Sequence, residues 1–73
     1  MEYTYKLRVD VIFDEDSIAH TVYGIELFKK GVEVIAIPDI FTDKSSAKKL
    51  VKLCNSCKLS PLHLMDVIED AIT

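Results

Sequence analysis

Residues 3–13 read YTYKLRVDVIF, and the polarity of this stretch alternates with a period of two. The odd positions are all apolar or aromatic, whereas the even positions from Thr4 to Asp10 are polar. Successive side chains of a β-strand point to opposite faces, so this pattern predicts a long strand with one buried face. We expect Leu7, Val9 and Val11 to lie in the core.

Two further strands are predicted after an acidic turn at residues 14–17. The first runs from about Ile18 to Phe28 and is rich in β-branched and aromatic residues. Gly24 inside it indicates a bulge or the close approach of another backbone. Beyond a glycine-containing turn, Val32–Ile37 is predicted as a third strand that is apolar on both faces. Pro38 is expected to end it, because proline has no N–H to donate to the ladder.

Two helices are predicted in the second half of the chain. The first begins after Thr42 or Asp43, either of which can cap it, and the second follows Ser60 and Pro61. The order βββαα predicts one α+β domain over residues 1–73: a three-stranded antiparallel meander with both helices on one face. The other residues expected in the core are Ile25, Leu50, Val51, Cys54, Leu64, Ile68 and Ala71.

Composition limits the classes of function. The chain has 73 residues, of which 49% are hydrophobic, enough for one small core and too many for a disordered chain. Its net charge of −3 disfavours a general nucleic-acid binder, because neutralising phosphates requires a clear excess of basic residues. No signal-peptide pattern opens the sequence, and the longest apolar run, Val34–Ile37, is far short of a membrane span. Two cysteines are too few for a disulfide framework, so we expect a cytoplasmic protein with reduced thiols.

Cys54 and Cys57 form a C-x-x-C pair near the predicted end of the first helix. The helix dipole opposes a thiolate there, which disfavours a redox role. A zinc site is the alternative, with His63 and Asp66 as further ligands, but one C-x-x-C supplies only half of a structural site. We therefore expect Cys54 and Cys57 to be apolar residues of the helix that bind neither a metal nor a cofactor.

The last helix offers a second group of candidate residues. His63, Asp66 and Asp70 share one helix face and could contact a metal or a basic partner surface. Ser60, His63 and Asp66 also have the residue types of a hydrolase triad, but Ser60 is explained as a cap and no glycine-rich turn follows it. We expect no catalytic residue and treat the three face residues as interaction candidates.

Lysines line the exposed side of the first predicted helix: Lys44, Lys48 and Lys52 follow at i, i+4 spacing, with Lys49 beside them. Such a face could meet phosphate or an acidic protein surface, although a solvated helix face is the ordinary explanation. No glycine-rich phosphate loop accompanies it, since the chain has only two glycines.

The chain also resembles a known family through three segments. These are Tyr23–Glu26, then Asp39-Ile40, and the C-terminal LSPLHLMDVIED over residues 59–70. The order is similar to that of small proteins from Gram-positive, largely clostridial bacteria that share a domain of unknown function with an LSPxHLxDVIED-like motif. The resemblance implies a bacterial cytosolic protein and assigns no catalytic residue.

Three hypotheses of function follow from the sequence. The first is a small, non-catalytic protein-interaction or regulatory module, forming a homodimer through the third strand or the uncovered sheet face. The second is a metal-binding or catalytic protein that uses Cys54, Cys57 and His63. The third and weakest is a nucleic-acid accessory module that uses the lysine face of the first helix.

Overall fold

The computed structural model describes residues 3–73. Strands β1 (Tyr3–Phe13), β2 (Ala19–Lys29) and β3 (Val32–Phe41) precede helix α1 (Lys44–Ser56), a 3₁₀ turn (Pro61–His63) and helix α2 (Leu64–Ile72). The strands form one antiparallel sheet in the order β1-β2-β3. The predicted α+β fold, a meander followed by two helices, is confirmed.

The hairpin of β1 and β2 is long and regular. Its register runs from Tyr3 opposite Lys29 to Phe13 opposite Ala19 without a shift. The connecting turn is held by the carboxylate of Asp14, which accepts hydrogen bonds from the amides of Asp16 and Ile18 at 2.9 and 3.0 Å. The hydrogen bonds with His20 and with these two amides lower the pKa of Asp14 below its ordinary value. The acidic turn is therefore a structured end of the hairpin.

Strand β3 is irregular where β1 is regular. It follows a two-residue turn in which Lys30 and Gly31 both have positive φ, the conformation of a type I′ hairpin turn. Its register against β2 then shifts twice, between Leu27 and Phe28 and between Tyr23 and Ile25. The prediction that Pro38 ends the strand is wrong, because Pro38 lies within the second shift and pairing resumes at Phe41. A bulge tolerates a residue that cannot donate to the ladder.

The close backbone approach predicted at Gly24 is confirmed. A Cβ atom at this position would overlap the carbonyl oxygen of Ile37 and would lie 2.8 Å from the Cα atom of Pro38. The irregular segment of β3 therefore lies directly against Gly24, and only a residue without a side chain leaves room for it.

The two predicted caps, Asp43 and Ser60, precede α1 and the 3₁₀ turn, whereas α2 itself follows His63, which makes no side-chain cap hydrogen bond within residues 3–73. Asp43 caps α1 through a 2.8 Å hydrogen bond from the Ser46 amide to its carboxylate. Ser60 Oγ accepts a longer, 3.4 Å hydrogen bond from the amide of Leu62. The segment that starts at Pro61 opens as a 3₁₀ turn, however, and regular α-helix begins only at Leu64.

Both helices pack on the same face of the sheet, as predicted. The core is a single cluster of strand and helix side chains: Tyr5, Ile25, Leu27, Leu50, Cys54, Leu64 and Ile68. Val51, which was expected in the core, is half-buried at its margin, and Ala71 is exposed.

The prediction that Val9 and Val11 are buried is wrong, and Leu7 is only half-buried. Val9 and Val11 remain 54% and 57% exposed. The reason is a difference in length. An 11-residue strand spans about 36 Å, whereas a 13-residue helix spans about 20 Å. The helical layer covers the beginning of β1, and the far half of the hairpin extends beyond it.

Candidate protein interface

The two cysteines occupy different environments. Cys54 is completely buried in the core, and burial together with the nearby Cys57 raises the pKa of its thiol to about 11. Cys57 is exposed and forms the C-cap of α1. Cys54 therefore serves as a small apolar core residue with a neutral thiol. Within residues 3–73, no group of three or more His, Cys, Asp and Glu side chains is placed to hold a metal ion.

The candidate residues of the last helix do not form a constellation in the described part of the chain. His63, Asp66 and Asp70 are all exposed. Ser60 Oγ is occupied by the amide of Leu62, and no hydrogen bond joins Ser60, His63 and Asp66 within residues 3–73. Capping accounts for Ser60, and the three face residues remain interaction candidates only.

The lysine face lies where the sequence predicts it. Lys44, Lys48, Lys49 and Lys52 are exposed on α1 and line an open groove together with Ser45. Among the residues that the structure describes, those lining the groove include no acidic side chain and no buried polar group. The face is a solvated, basic helix surface.

The far half of the hairpin is an apolar projection from the domain. Five large apolar side chains are exposed there, and we call this set the apolar tip: Val9, Val11, Ile12, Phe13 and Ile18. Phe13 is the most exposed of them, at 69%. Clustered apolar side chains of this kind are typical of surfaces that contact another macromolecule.

The outer edge of β1 is available over the same residues. The N–H and C=O of Tyr5 point away from β2, because both are bound by the Asn55 side chain. Backbone groups alternate in direction along an antiparallel strand, and the β1–β2 register has no shift. Those of Leu7, Val9, Val11 and Phe13 therefore also point outward. No partner for them lies in the part of the chain that the structure describes.

Asn55 closes this edge at one point. Its Oδ1 accepts from the Tyr5 amide and its Nδ2 donates to the Tyr5 carbonyl, both at 2.8 Å, so one amide side chain takes the place of a neighbouring strand. The Tyr5 hydroxyl donates to the carbonyl of Leu59 at 2.7 Å, and burial raises the pKa of this phenol. These contacts join the end of α1 to β1 and leave the edge open from Leu7 onward.

Replacing Asn55 with alanine is expected to lower the free energy of unfolding by about 1–2 kcal/mol, because both hydrogen bonds to Tyr5 are lost. Urea unfolding followed by circular dichroism measures the loss. Ser56→Ala is the matched control: Ser56 is an exposed neighbour, and its substitution is expected to change stability by less than about 0.5 kcal/mol. Equal effects of the two substitutions would contradict the bridging role of Asn55.

The sheet face opposite the helices is charged. Arg8 contacts Asp10 at 2.7 Å and Glu26 at 3.3 Å. Its hydrogen bond with Asp10 raises the pKa of Arg8, and a hydrogen bond with Glu26 raises the pKa of Glu33. Lys6 lies over the ring of Phe28, 4.9 Å from its centroid. Paired charges of this kind suit contact with water, so this face is a poorer interface than the apolar tip.

The period-two pattern does not reveal the apolar tip, because it predicts that one face of β1 is buried along its whole length. A signal was present in the lengths of the predicted elements. A strand that runs to Phe13 is much longer than either predicted helix, so part of its apolar face has to extend beyond them. The two hydrogen bonds between Asn55 and the backbone of Tyr5, which we call the Asn55 bridge, have no such signal in the sequence, because they join residues 50 positions apart.

The fold and the open edge define a small α+β domain: an antiparallel meander with two helices on one face and an uncovered hairpin tip. The chain belongs to a family whose description reads "Family of unknown function (DUF6514)", and the match covers residues 1–73. No curated protein and no solved structure matches it. The resemblance to a domain of unknown function is confirmed, whereas the clostridial origin and the C-terminal motif stay predictions.

Within residues 3–73, no helix has the length and apolar character needed to cross a membrane.

Proposed function

We propose that this chain is a small, non-catalytic protein-interaction module of the bacterial cytoplasm, and that the outer edge of β1 is its binding element. A partner adds a strand alongside residues 7–13. The observation that carries the proposal is the coincidence of two features on the same residues. The backbone groups of Val9, Val11 and Phe13 are directed outward, and their side chains are more than half exposed.

An edge of this kind is unusual in a free protein. Sheets normally protect their edges with bulges, proline, charges or a covering segment. The edge of β3 has such protection, since two register shifts and Pro38 interrupt it. The edge of β1 is regular from Leu7 to Phe13, and within residues 3–73 it is covered only by Asn55, at Tyr5. The structure therefore favours the edge of β1, whereas the sequence predicts an interface at the third strand or at the uncovered sheet face.

Strand addition would use both features of the site. Main-chain hydrogen bonds to an open edge supply affinity, and alternate side chains of the added strand supply specificity. Here the alternate side chains would meet Val9, Val11 and Phe13 on the helix-bearing face of the sheet, at the part of β1 that the helices do not reach. The free thiols of Cys54 and Cys57 fit a reducing compartment and support the cytoplasmic assignment.

Photo-crosslinking in the native host cells tests the proposal. A photoreactive amino acid replaces Val11 in one variant and Val34 in a matched control. Val34 is similarly exposed, at 50% against 57% for Val11, but lies on the β3 edge. We expect irradiation to give one defined covalent protein adduct from position 11 and none from position 34.

A proline substitution adds a second control to the same experiment. The Val9 amide points outward, so Val9→Pro removes a donor that β2 does not use, and edge strands tolerate proline at such positions. We expect the adduct from position 11 to disappear in this variant while the circular dichroism spectrum is unchanged. An adduct that persists with Val9→Pro, or equal adducts from both positions, would overturn the proposal.

A further inference from the structure

We infer that the strand added to the edge of β1 is the β1 strand of a second copy of this chain, antiparallel to the first and with Val11 on the two-fold axis. The inference rests on the proposed function and names its partner. An isologous contact of this type requires the same edge to be complementary to itself.

The direction of the backbone groups limits the possible registers. Odd-numbered residues from Leu7 to Phe13 point outward, so odd residues must face odd residues of the second copy. A two-fold axis at Val9 would bring the second copy's Phe13 opposite Tyr5, whose outward groups are already bound by Asn55. The Asn55 bridge therefore excludes that register.

Charge excludes the registers on either side of the Val11 register. An axis at Asp10 would place this carboxylate directly opposite its own copy. An axis at Ile12 would place Asp10 opposite Asp14 of the second copy. Like charges at directly opposed positions destabilise a strand pair. Both arrangements are therefore unfavourable.

The axis at Val11 satisfies every constraint. Val11 faces Val11, and Val9 faces Phe13 in both directions, so the three apolar side chains of each copy meet on the helix-bearing face of the sheet, beyond the reach of the helices. On the other side Arg8 lies opposite Asp14 of the second copy, which pairs opposite charges twice. Three residue pairs exchange about six backbone hydrogen bonds. The two sheets become one continuous sheet, and the exposed edge is removed from both copies.

Sedimentation equilibrium of the purified chain tests the dimer. At high protein concentration we expect twice the 8.3 kDa mass of the single chain. Val11→Lys places two ammonium groups opposite each other at the axis and is expected to raise the dissociation constant by at least about tenfold. Val34→Lys, on the β3 edge, is expected to leave the dimer intact. A single-chain mass at every concentration, or a dimer lost only with Val34→Lys, would overturn the inference.

Disulfide trapping tests the register. In a Cys57→Ser background, Val11→Cys places two cysteines at the axis with Cα atoms about 5.5 Å apart, within the range a disulfide spans. We expect rapid oxidation to a covalent dimer. Val9→Cys in the same background faces Phe13 and is expected to cross-link at least about tenfold more slowly. Equal rates would exclude the axis at Val11.

The two proposals fail in different ways. If position 11 gives an adduct in cells with a different polypeptide and the purified chain has the mass of one copy, the self-association is wrong and the interaction edge stands. If position 11 gives no adduct and the purified chain also has the mass of one copy, both are wrong.

Discussion

Replacing Gly24 with alanine is expected to lower the free energy of unfolding by about 3 kcal/mol, which is comparable to the whole stability of a domain of this size. The added Cβ atom would overlap the carbonyl oxygen of Ile37 and press on Pro38. Both obstacles are backbone, so no side-chain rotation relieves them. The irregular segment of β3 would have to move away from β2 and lose its pairing. Chemical unfolding of the two proteins, followed by circular dichroism, measures the loss.

Gly31→Ala is the matched control for this substitution. Gly31 has a φ of +80°, and no atom of the described residues 3–73 lies within 4 Å of an added Cβ. Gly31→Ala is expected to lower the free energy of unfolding by about 1 kcal/mol, because alanine disfavours the left-handed backbone of the turn. A loss at Gly24 no larger than the loss at Gly31 would show that β3 does not approach Gly24 closely.

Replacing Leu27 with alanine is expected to cost about 3 kcal/mol, within the range of roughly 2–5 kcal/mol typical of a buried leucine. Leu27 is completely buried, in the central strand and in the cluster that joins the sheet to both helices. The substitution removes apolar contacts and leaves a cavity that neighbouring side chains fill only in part. Because the domain is small, we expect the variant to be largely unfolded at 37 °C, as read from its thermal unfolding curve.

Val11→Ala provides the contrast for Leu27→Ala. Both positions belong to alternating apolar patterns, but Val11 is 57% exposed. We expect a change of less than about 0.5 kcal/mol, measured at a protein concentration low enough to keep the chain a single copy. If Val11→Ala lowers the free energy of unfolding by about 2 kcal/mol or more, as is typical of buried side chains, Val11 is buried as the sequence pattern predicts.

The candidate residues that the sequence singles out and the interface that the structure favours are different sets. The sequence candidates are residue types that can bind metals, catalyse reactions or bind phosphate. They are the C-x-x-C pair, the triad-like Ser60, His63 and Asp66, and the lysine face. The structure assigns Cys54 to the core and Ser60 to a cap, and it leaves the lysine face solvated. The apolar tip contains no reactive side chain. The apolar tip is a candidate interface because the helices do not cover it.

The elements and their order are predictable from local sequence patterns. The period-two pattern of β1, the caps at Asp43 and Ser60 and the glycine at position 24 are local signals, and each depends on a few neighbouring residues. Those signals were enough for the antiparallel meander and for both helices on one face. The prediction that Pro38 ends the third strand is wrong because the missing N–H donor of proline does not matter inside a bulge.

Which part of the apolar face of β1 is covered depends on how the helices pack against the sheet. Periodicity assigns Leu7, Val9 and Val11 to the same face as Tyr5, but burial depends on how far the helical layer reaches along the strand. The helical layer is joined to β1 where Asn55 binds the backbone of Tyr5, a contact between residues 50 positions apart, and it leaves Val9 and Val11 exposed. A pattern within a strand carries no information about such a contact. The division of β1 into a buried half and an open edge therefore appears only when the helices are in place.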